Sequence, residues 1–194
     1  IGGAASVMSA IPFITQLGSD IDGEAANDKS GYSVSLSSDG TILAIGAYEN
    51  DPGYHYIVPI GHVRVYGYSA GSWSQLGADI DGEWGNEHSG WSVSLSSDGT
   101  ILAIGAPYNG VNGGQVRVYE YSAGSWSQLG SDIDGEAASD ISGHSVSLDS
   151  TGTILAIGAY GNDGNGNSSG HARIYEYNGT SWSQLGTDID GEAA

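Results

Sequence analysis

Clusters of carboxylates recur along the chain, each beside a glycine, and they are the first candidates for chemistry. The phrase QLGSDIDGEA begins at Gln16, and close copies begin at Gln75, Gln128 and Gln184. Closely spaced carboxylate oxygens in a glycine-containing turn are ligands that Ca²⁺ prefers. The candidate ligands form three sets: Asp22, Glu24 and Asp28; Asp81, Glu83 and Glu87; Asp134, Glu136 and Asp140. One interpretation is calcium binding by these loops, and the other is a plain connector between structural units.

Side-chain alternation favours the connector. Successive side chains of an extended segment point to opposite faces, so Ile21 lies opposite Asp20 and Asp22 and on the same face as Leu17. An apolar residue in that place indicates a strand that packs on a core, not a spacer in a calcium loop. The sequence therefore requires no cofactor, and Ca²⁺ is the candidate ion that it leaves open.

Basic residues are scarce, and most of them stand at one repeated position. Three of the four Lys and Arg residues are Arg64, Arg117 and Arg173, each in the phrase V/A-R-V/I-Y. Diagonal cross-strand neighbours lie within reach of long side chains. Counting across the hairpin, with Ser69–Ser72 as its loop, places Tyr66 opposite Gln75 and His62 opposite Asp79. The same count predicts the ion pairs Arg64–Asp79, Arg117–Asp132 and Arg173–Asp188. A structural clasp is favoured over an arginine offered to an anionic ligand, because every copy carries a carboxylate partner.

Tyrosine and tryptophan also recur in pairs, at the end of the same hairpin. The pairs are Tyr68 with Trp73, Tyr121 with Trp126, and Tyr177 with Trp182. Exposed aromatic faces can stack on sugar rings, whereas facing aromatic residues on adjacent strands stabilise a hairpin. The second interpretation is favoured, because such pairs form without any ligand.

Catalytic signatures are absent from the sequence. Histidine occurs at positions 55, 62, 88, 144 and 171, with no spacing typical of a zinc site, and there is no cysteine. No nucleophile motif is present. The carboxylate pairs repeat in every unit, whereas an active site is a single asymmetric constellation. We therefore assign no catalytic residue and predict that the chain is not an enzyme.

The charge balance excludes two classes of partner. With 23 acidic and four basic residues, the formal net charge is −19. Such a polyanion repels nucleic acids and anionic membranes, and no apolar run is long enough to span a bilayer. Sequons at Asn167 and Asn178 weakly favour glycosylation and an extracellular or cell-surface location.

A repeat of 53 to 59 residues positions all these side chains. Each unit reads SGxSVSL, a turn, ILAIGA, a variable loop, and then a hairpin that ends in SWSQLG. The first unit predicts strands at Ser33–Leu36, Ile42–Ala47, Val63–Tyr68 and Trp73–Ile80, with Asp39-Gly40 in the first turn. Four antiparallel strands in each unit predict an all-β, propeller-like array of blades.

The sequence motifs of the repeat resemble those of a known family. SGxSVSL, ILAIGAP and GxVRVYEY are similar to the FG-GAP repeats of integrin α-chain propellers and of secreted microbial proteins. The resemblance implies a β-propeller that binds glycan or matrix. It covers three repeats, with Gly31, Gly90 and Gly143 at the FG glycine. Members of the family often carry a calcium loop between the first two strands, which Ser37-Ser38-Asp39-Gly40 lacks, so that site is not transferred.

Three full units are fewer than the four or more blades of a closed propeller. The predicted boundaries are about 19–80, 81–133 and 134–194, after an atypical hairpin or assembly strand at 1–18. Apolar residues in that strand and in the first variable loop are candidate assembly contacts: Phe13, Ile14, Tyr54, Tyr56, Ile57 and Val58. Unpaired edges favour self-association into a homo-oligomer or filament, ahead of a fragment of a longer array or a free monomer.

These features together predict an extracellular structural or adhesive protein that self-assembles, as the subunit of a fibre, an appendage or a surface layer. The alternative is a glycan- or matrix-binding module of the integrin-like type. The expected partners are other copies of the chain, with glycan or matrix as the second choice.

Overall fold

The computed structural model describes residues 15–51, 58–110 and 113–192, and the described residues are all-β, with three five-stranded antiparallel sheets and no helix. The predicted fold class is confirmed. No helix among these residues is long and apolar enough to cross a membrane.

The first sheet contains β1 (Ser33–Leu36), β2 (Ile42–Ala47), β3 (His62–Ser69), β4 (Ser72–Gln75) and β5 (Ile80–Asp81). The second contains β6 (Ser92–Leu95), β7 (Ile101–Ala106), β8 (Gln115–Ser122), β9 (Ser125–Gln128) and β10 (Ile133–Asp134). The third contains β11 (Ser145–Leu148), β12 (Ile154–Ala159), β13 (His171–Tyr177), β14 (Trp182–Gln184) and β15 (Ile189–Asp190).

Each sheet is one blade, built outward from a short inner strand. In the first blade the order is β1-β2-β3-β4. The first strands of the three blades, β1, β6 and β11, contact one another in sequence, which places them innermost. β1 and β2 have the predicted bounds, and the turn between them has Gly40 at a φ of 72°, as a tight Asp-Gly turn requires.

Apolar side chains fill the spaces between the blades. The first core contains Val63, Val65 and Ile80 of one blade and Leu102 and Ile104 of the next. The second core repeats the arrangement with equivalent residues of the second and third blades. The two inter-blade contacts are therefore two copies of one interface.

The outer hairpin differs from its predicted register. Tyr68 faces Trp73 and Tyr66 faces Gln75, as expected. The fourth strand then ends, because the chain turns at Gly77, whose φ is 76°. Pairing with β3 resumes at β5, where His62 faces Asp81 and not the predicted Asp79. A bulge between β4 and β5 shifts the register by two residues.

Close backbone contacts join the inner parts of adjacent blades. The Oγ of Ser33 donates to the carbonyl of Gly90 at 2.7 Å, and Ser92 donates to Gly143 at 2.8 Å. The same two carbonyls lie so close to Gly46 and Gly105 that a Cβ on either glycine would overlap with them. Glycine at these places in β2 and β7 allows the blades to approach.

The two end blades each present an uncovered face. Ile189 is 60% exposed, whereas its equivalent Ile80 is 7% exposed in the first inter-blade core. On the opposite end, Val34 and Leu36 of β1 are exposed, whereas their equivalents Val93 and Leu95 are half-buried and buried. The proposed contact residues Phe13, Ile14, Tyr54, Tyr56 and Ile57, and most of the predicted hairpin at 1–18, lie outside the described residues. Val58 is described and lies against Gly85 of the following connector.

Candidate functional site

Aromatic rings form a continuous band across the three blades, at the end where the first strands begin and the second strands end. This aromatic shelf contains Tyr32, Tyr48, His88, Trp91, Tyr108, His144 and Tyr160. Trp91, just before β6, occupies the middle. Its ring centroid lies 4.9 Å from that of Tyr32, 5.2 Å from that of Tyr108 and 5.6 Å from that of His144. His144 continues the band to Tyr160 at 4.8 Å.

The shelf is open to solvent. Tyr32, Tyr108 and Tyr160 are 51%, 40% and 52% exposed, although rings of this size are usually covered. Trp91 is half-buried beneath them. The seven rings therefore present aromatic faces and edges outward while they support one another by edge-to-face contacts.

An ion pair borders the aromatic shelf, and two of the rings have shifted pKa values. Lys29, the one lysine of the chain, lies 3.8 Å from Glu49 at the border of the shelf. Burial, together with the neighbouring carboxylate of Glu49, raises the pKa of Tyr48. Burial lowers the pKa of His88, so its ring is neutral at pH 7. The faces of neutral aromatic rings attract cations.

The sequence interpretation missed the shelf. Tyr32, Trp91 and His144 stand at one repeat position, directly after Ser-Gly, while Tyr48 and Tyr160 follow the Gly-Ala that ends the second strand. The available signal was this shared position, which is filled by three different ring types. The repeated Tyr–Trp pairs of the outer hairpin were conspicuous because their residue types do not change.

Those outer pairs are structural contacts within each hairpin. The rings of Tyr68 and Trp73 lie 5.0 Å apart, and the pairs Tyr121–Trp126 and Tyr177–Trp182 are similar. Each indole also donates a hydrogen bond to the segment that precedes its blade: Trp73 to Leu17, Trp126 to Leu76 and Trp182 to Leu129, at 2.8 to 3.0 Å. The tryptophan thus joins the outer edges of successive blades.

The arginines are buried in ion pairs, but with partners other than the predicted ones. Arg64 lies 3.8 Å from Glu24 and donates to the carbonyl of Asp22 at 2.7 Å. Arg173 contacts Glu136 and the carbonyl of Asp134 in the same way, and Arg117 contacts Glu83 and Glu87. The expected partners Asp79, Asp132 and Asp188 instead accept hydrogen bonds from Gln75, Gln128 and Gln184. The physical reason is the bulge after β4, which changes the residues that face each arginine.

The three acidic sets are divided between different contacts. Buried Asp28 accepts from the amide of Ala25 at 3.0 Å and from Asn50 at 3.1 Å, and Asp140 repeats this with Ala137 and Asn162. Glu24 turns toward Arg64. Within the described ranges, none of the predicted three-residue sets brings its carboxylates to within 4.8 Å of one another. Calcium binding by these sets stays a prediction.

Two other groups do bring potential metal ligands together. They are Glu24, His62 and Asp79 in the first blade, and Glu136, His171 and Asp188 in the third. Burial outweighs the nearby carboxylates of Asp79 and Glu24 and lowers the pKa of His62, so its ring is neutral at pH 7.

The two sequons lie on the surface. Asn167 is exposed in the loop before β13. Asn178 is exposed as well, and its side-chain oxygen accepts from the amides of Thr180 and Ser181 to close the last hairpin. Glycosylation at either position stays a prediction.

Comparison with known proteins identifies the fold alone. No family model matches the chain, and no curated protein matches it; the FG-GAP resemblance stays a prediction. Among solved structures, the chain is similar to a putative 6-phosphogluconolactonase from Bacteroides fragilis, with a TM-score of 0.56 and 16% identity over 82% of this chain and 38% of that one. Sqt1 from Saccharomyces cerevisiae gives a TM-score of 0.52 and 13% identity, over 84% of this chain and 36% of that one. A putative 6-phosphogluconolactonase from Bacteroides uniformis gives a TM-score of 0.55 and 12% identity, over 84% of this chain and 41% of that one. The chain thus spans less than half the length of these structures.

These findings overturn the function predicted from the sequence. The similar structures named above are putative 6-phosphogluconolactonases and Sqt1, not extracellular adhesive or fibre-forming proteins. The interpretation as a self-assembling fibre, appendage or surface-layer subunit is wrong, and its glycan- or matrix-binding alternative is withdrawn with it. The wrong step was to infer a biological role from a repeat pattern, which specifies blades and not their use. The propeller-like fold is shared with putative enzymes, at identities that show no common activity.

Proposed function

We propose that the chain is a non-enzymatic binding segment of a β-propeller whose aromatic shelf recognises cationic groups, in particular the Lys and Arg side chains of a basic polypeptide. The observation that carries the proposal is the open band of seven rings across three blades. An ammonium or guanidinium group over an aromatic face gains about 0.5–2 kcal/mol, depending on its desolvation. Several rings in one band offer such contacts to successive side chains of an extended segment.

The charge of the chain supports the same class of ligand. A formal net charge of −19 attracts basic partners at long range and speeds their association. Substrates that carry phosphate, as the name 6-phosphogluconolactonase implies for those neighbours, require cations in the site. Here the three arginines are buried in ion pairs, and the lysine is paired with Glu49. This distribution favours binding of a cation over hydrolysis of a phosphorylated lactone.

The partner that completes the ring is, in our proposal, a second copy of the chain. A cavity of about 370 Å³ opens on the third blade beside Ser145, Gly158 and His171. At the equivalent places in the first two blades, the carbonyls of Gly90 and Gly143 fill this position. Gly31 is the equivalent residue of the first blade, and the position of its missing Cβ is open. The uncovered faces of the two end blades are thus the two halves of the interface that already occurs twice within the chain.

Binding by the shelf is tested with basic and acidic peptides of equal length. Isothermal titration with a Lys/Arg-rich peptide should show binding that weakens with added salt, whereas a Glu-rich peptide should not bind. Trp91→Ala should weaken binding about 5-fold or more, because it removes the central ring. Trp84→Ala is the matched control, since Trp84 is exposed outside the shelf. Equal losses in both variants, or binding of both peptides, would contradict the proposal.

A further inference from the structure

We infer that the first and third blades each hold a divalent transition-metal site of the Zn²⁺ type, formed by one buried histidine and two carboxylates. The ligands are Glu24, His62 and Asp79 in one blade and Glu136, His171 and Asp188 in the other. Within each group, one potential ligand atom from every residue lies within 4.8 Å of the other two. This site goes beyond the proposed binding of basic polypeptides and does not depend on it.

His171 provides the decisive observation. Its side chain is 1% exposed, and neither ring nitrogen has a hydrogen-bond partner among the residues that the structure describes. A buried polar group without a partner loses free energy unless something binds it. The Nδ1 atom points toward two carboxylates, at 3.9 Å from Glu136 Oε2 and 3.8 Å from Asp188 Oδ2. These separations are too long for hydrogen bonds.

The separations suit a shared ion. Zn²⁺ binds nitrogen and oxygen at about 2.0–2.2 Å, so the ligands of a tetrahedral site lie about 3.4 Å apart. A shift of a few tenths of an ångström would bring each carboxylate oxygen to that distance from the Nδ1 of His171. The imidazole is fixed by burial, but Glu136 is half-exposed and free to make this adjustment. A fourth ligand position would remain for water.

The first blade groups the equivalent residues, with one additional carboxylate near the imidazole. The Nδ1 of His62 lies 3.8 Å from Glu24 Oε2 and 4.0 Å from Asp81 Oδ1, with Asp79 inside the same group. Three carboxylates thus lie around one histidine and one arginine, Arg64. This excess of negative charge in a partly buried place favours a bound cation.

The type of ion follows from the ligands. A buried imidazole is a ligand for Zn²⁺ and its first-row neighbours, whereas Ca²⁺ and Mg²⁺ prefer oxygen alone. The arginine beside each glutamate offsets one negative charge. This lowers the affinity of each group for Ca²⁺ and Mg²⁺, whose binding depends on the number of charged oxygen ligands.

The second blade is a natural contrast. Gln115 replaces the histidine, and its side-chain oxygen accepts from Asn109 at 2.6 Å. Glu83, the equivalent of Glu24, lies 3.2 Å from Arg117. Because an amide replaces the imidazole, no group of three potential ligands forms among the described residues of this blade. Two ions per chain, not three, are therefore expected.

The test is titration of the full chain, after removal of metals with a chelator, with Zn²⁺ alone in isothermal calorimetry. The wild type should bind two ions per chain, His171→Asn and His62→Asn one each, and the double variant none. Asp132→Asn is the matched control, because Asp132 holds the position of Asp79 and Asp188 in the second blade and belongs to neither group. A Co²⁺ titration should give visible absorption bands that the double variant lacks. Circular dichroism verifies that the variants are folded.

Glu24→Gln and Glu136→Gln keep the proposal falsifiable if a histidine variant does not fold, since both glutamates are half-exposed and their loss should leave the fold intact. Each should weaken Zn²⁺ binding at one site by about 10-fold or more. The proposal is overturned by a stoichiometry that the double histidine variant does not change, by three ions per chain, or by Ca²⁺ binding as tightly as Zn²⁺.

Discussion

The carboxyl group of Asp149 has a pKa well below its ordinary value. Partial burial acts to raise that pKa, but hydrogen bonds from the amides of Ile154, Thr151 and Thr153 and from the Thr151 hydroxyl outweigh it and lower the pKa to about 2. Asp39 and Asp98 cap the equivalent turns of the other blades through hydrogen bonds from Thr41 and Thr100, which lower their pKa values too. The place where the resembled family carries a calcium loop is a set of capped turns here.

This cap predicts a pH-dependent contribution to stability. A carboxylate whose pKa is lowered on folding stabilises the folded state above its unfolded pKa of about 3.9, and the stabilisation is lost as the pH falls through about 2. Asp149→Asn should lower the melting temperature by about 2–4 °C at pH 7. The difference from wild type should shrink steadily between pH 4 and pH 2.

Differential scanning calorimetry across that pH range measures the effect. Glu176→Gln serves as the control, because Glu176 is an exposed acid on β13. A difference in melting temperature between Asp149→Asn and wild type that stays constant from pH 7 to pH 2 would show that the negative charge of Asp149 does not stabilise the turn.

Among the elements, the outer hairpin has a double role. β9 pairs with β8 and also supplies Trp126, whose Nε1 donates to the carbonyl of Leu76 at 2.9 Å and whose ring packs against the first inter-blade core. The bulge that follows β9 exposes the carbonyl of Leu129 to Trp182 of the next blade in the same way. The bulge of one blade and the tryptophan of the next thus form a hydrogen-bonded joint between their outer edges.

Trp126→Phe tests this joint. The phenyl ring keeps much of the contact with Tyr121 but cannot donate to Leu76, so the free energy of unfolding should fall by about 1 kcal/mol or more. Chemical denaturation followed by circular dichroism measures it. Trp84→Phe, at a solvent-exposed tryptophan, should change stability by less than about 0.5 kcal/mol. A larger loss at Trp84 than at Trp126 would refute the joint.

At the scale of the whole molecule, the described residues of the first and third blades leave two matching faces exposed. In our proposal, the third blade of one copy joins the first blade of another, repeats the existing interface and closes with two copies as a six-bladed ring, within the range of about four to eight blades that propellers adopt. The cavity beside Gly158 would then receive Gly31 of the second copy, as Gly105 receives Gly143 within the chain.

Two alanine substitutions separate folding from assembly. Gly105→Ala should unfold the chain or strongly destabilise it, because the new Cβ overlaps with the backbone carbonyl of Gly143. Gly158→Ala meets only the Ser145 side chain and its adjacent atoms, so it should leave the monomer folded but prevent ring closure.

Light scattering coupled to size exclusion gives the masses. The wild type should be a dimer at micromolar concentration and Gly158→Ala a monomer with a similar circular dichroism spectrum. A wild type that is monomeric at these concentrations, or a dimeric Gly158→Ala, would exclude this mode of closure.

Much of the fold could be predicted from the sequence, because the signals are local. Alternation in SVSL, the apolar run ILAIGA and the Asp-Gly turn each specify a strand or a turn within a few residues. The facing pairs Tyr68–Trp73 and Tyr66–Gln75 follow from the length of the loop between them. Because the sequence repeats, the same prediction applies to all three blades.

What the sequence by itself determined is therefore the blade, and what the tertiary structure decided is which side chains meet. Because of the bulge at Gly77, Arg64 contacts Glu24 and not the predicted Asp79, and Asp81 lies opposite His62. The packing of adjacent blades joined rings that lie far apart in the sequence into one shelf. Strand formation depends on the periodicity of neighbouring residues, whereas contacts between blades depend on register and on close backbone approach, which no short stretch of sequence encodes.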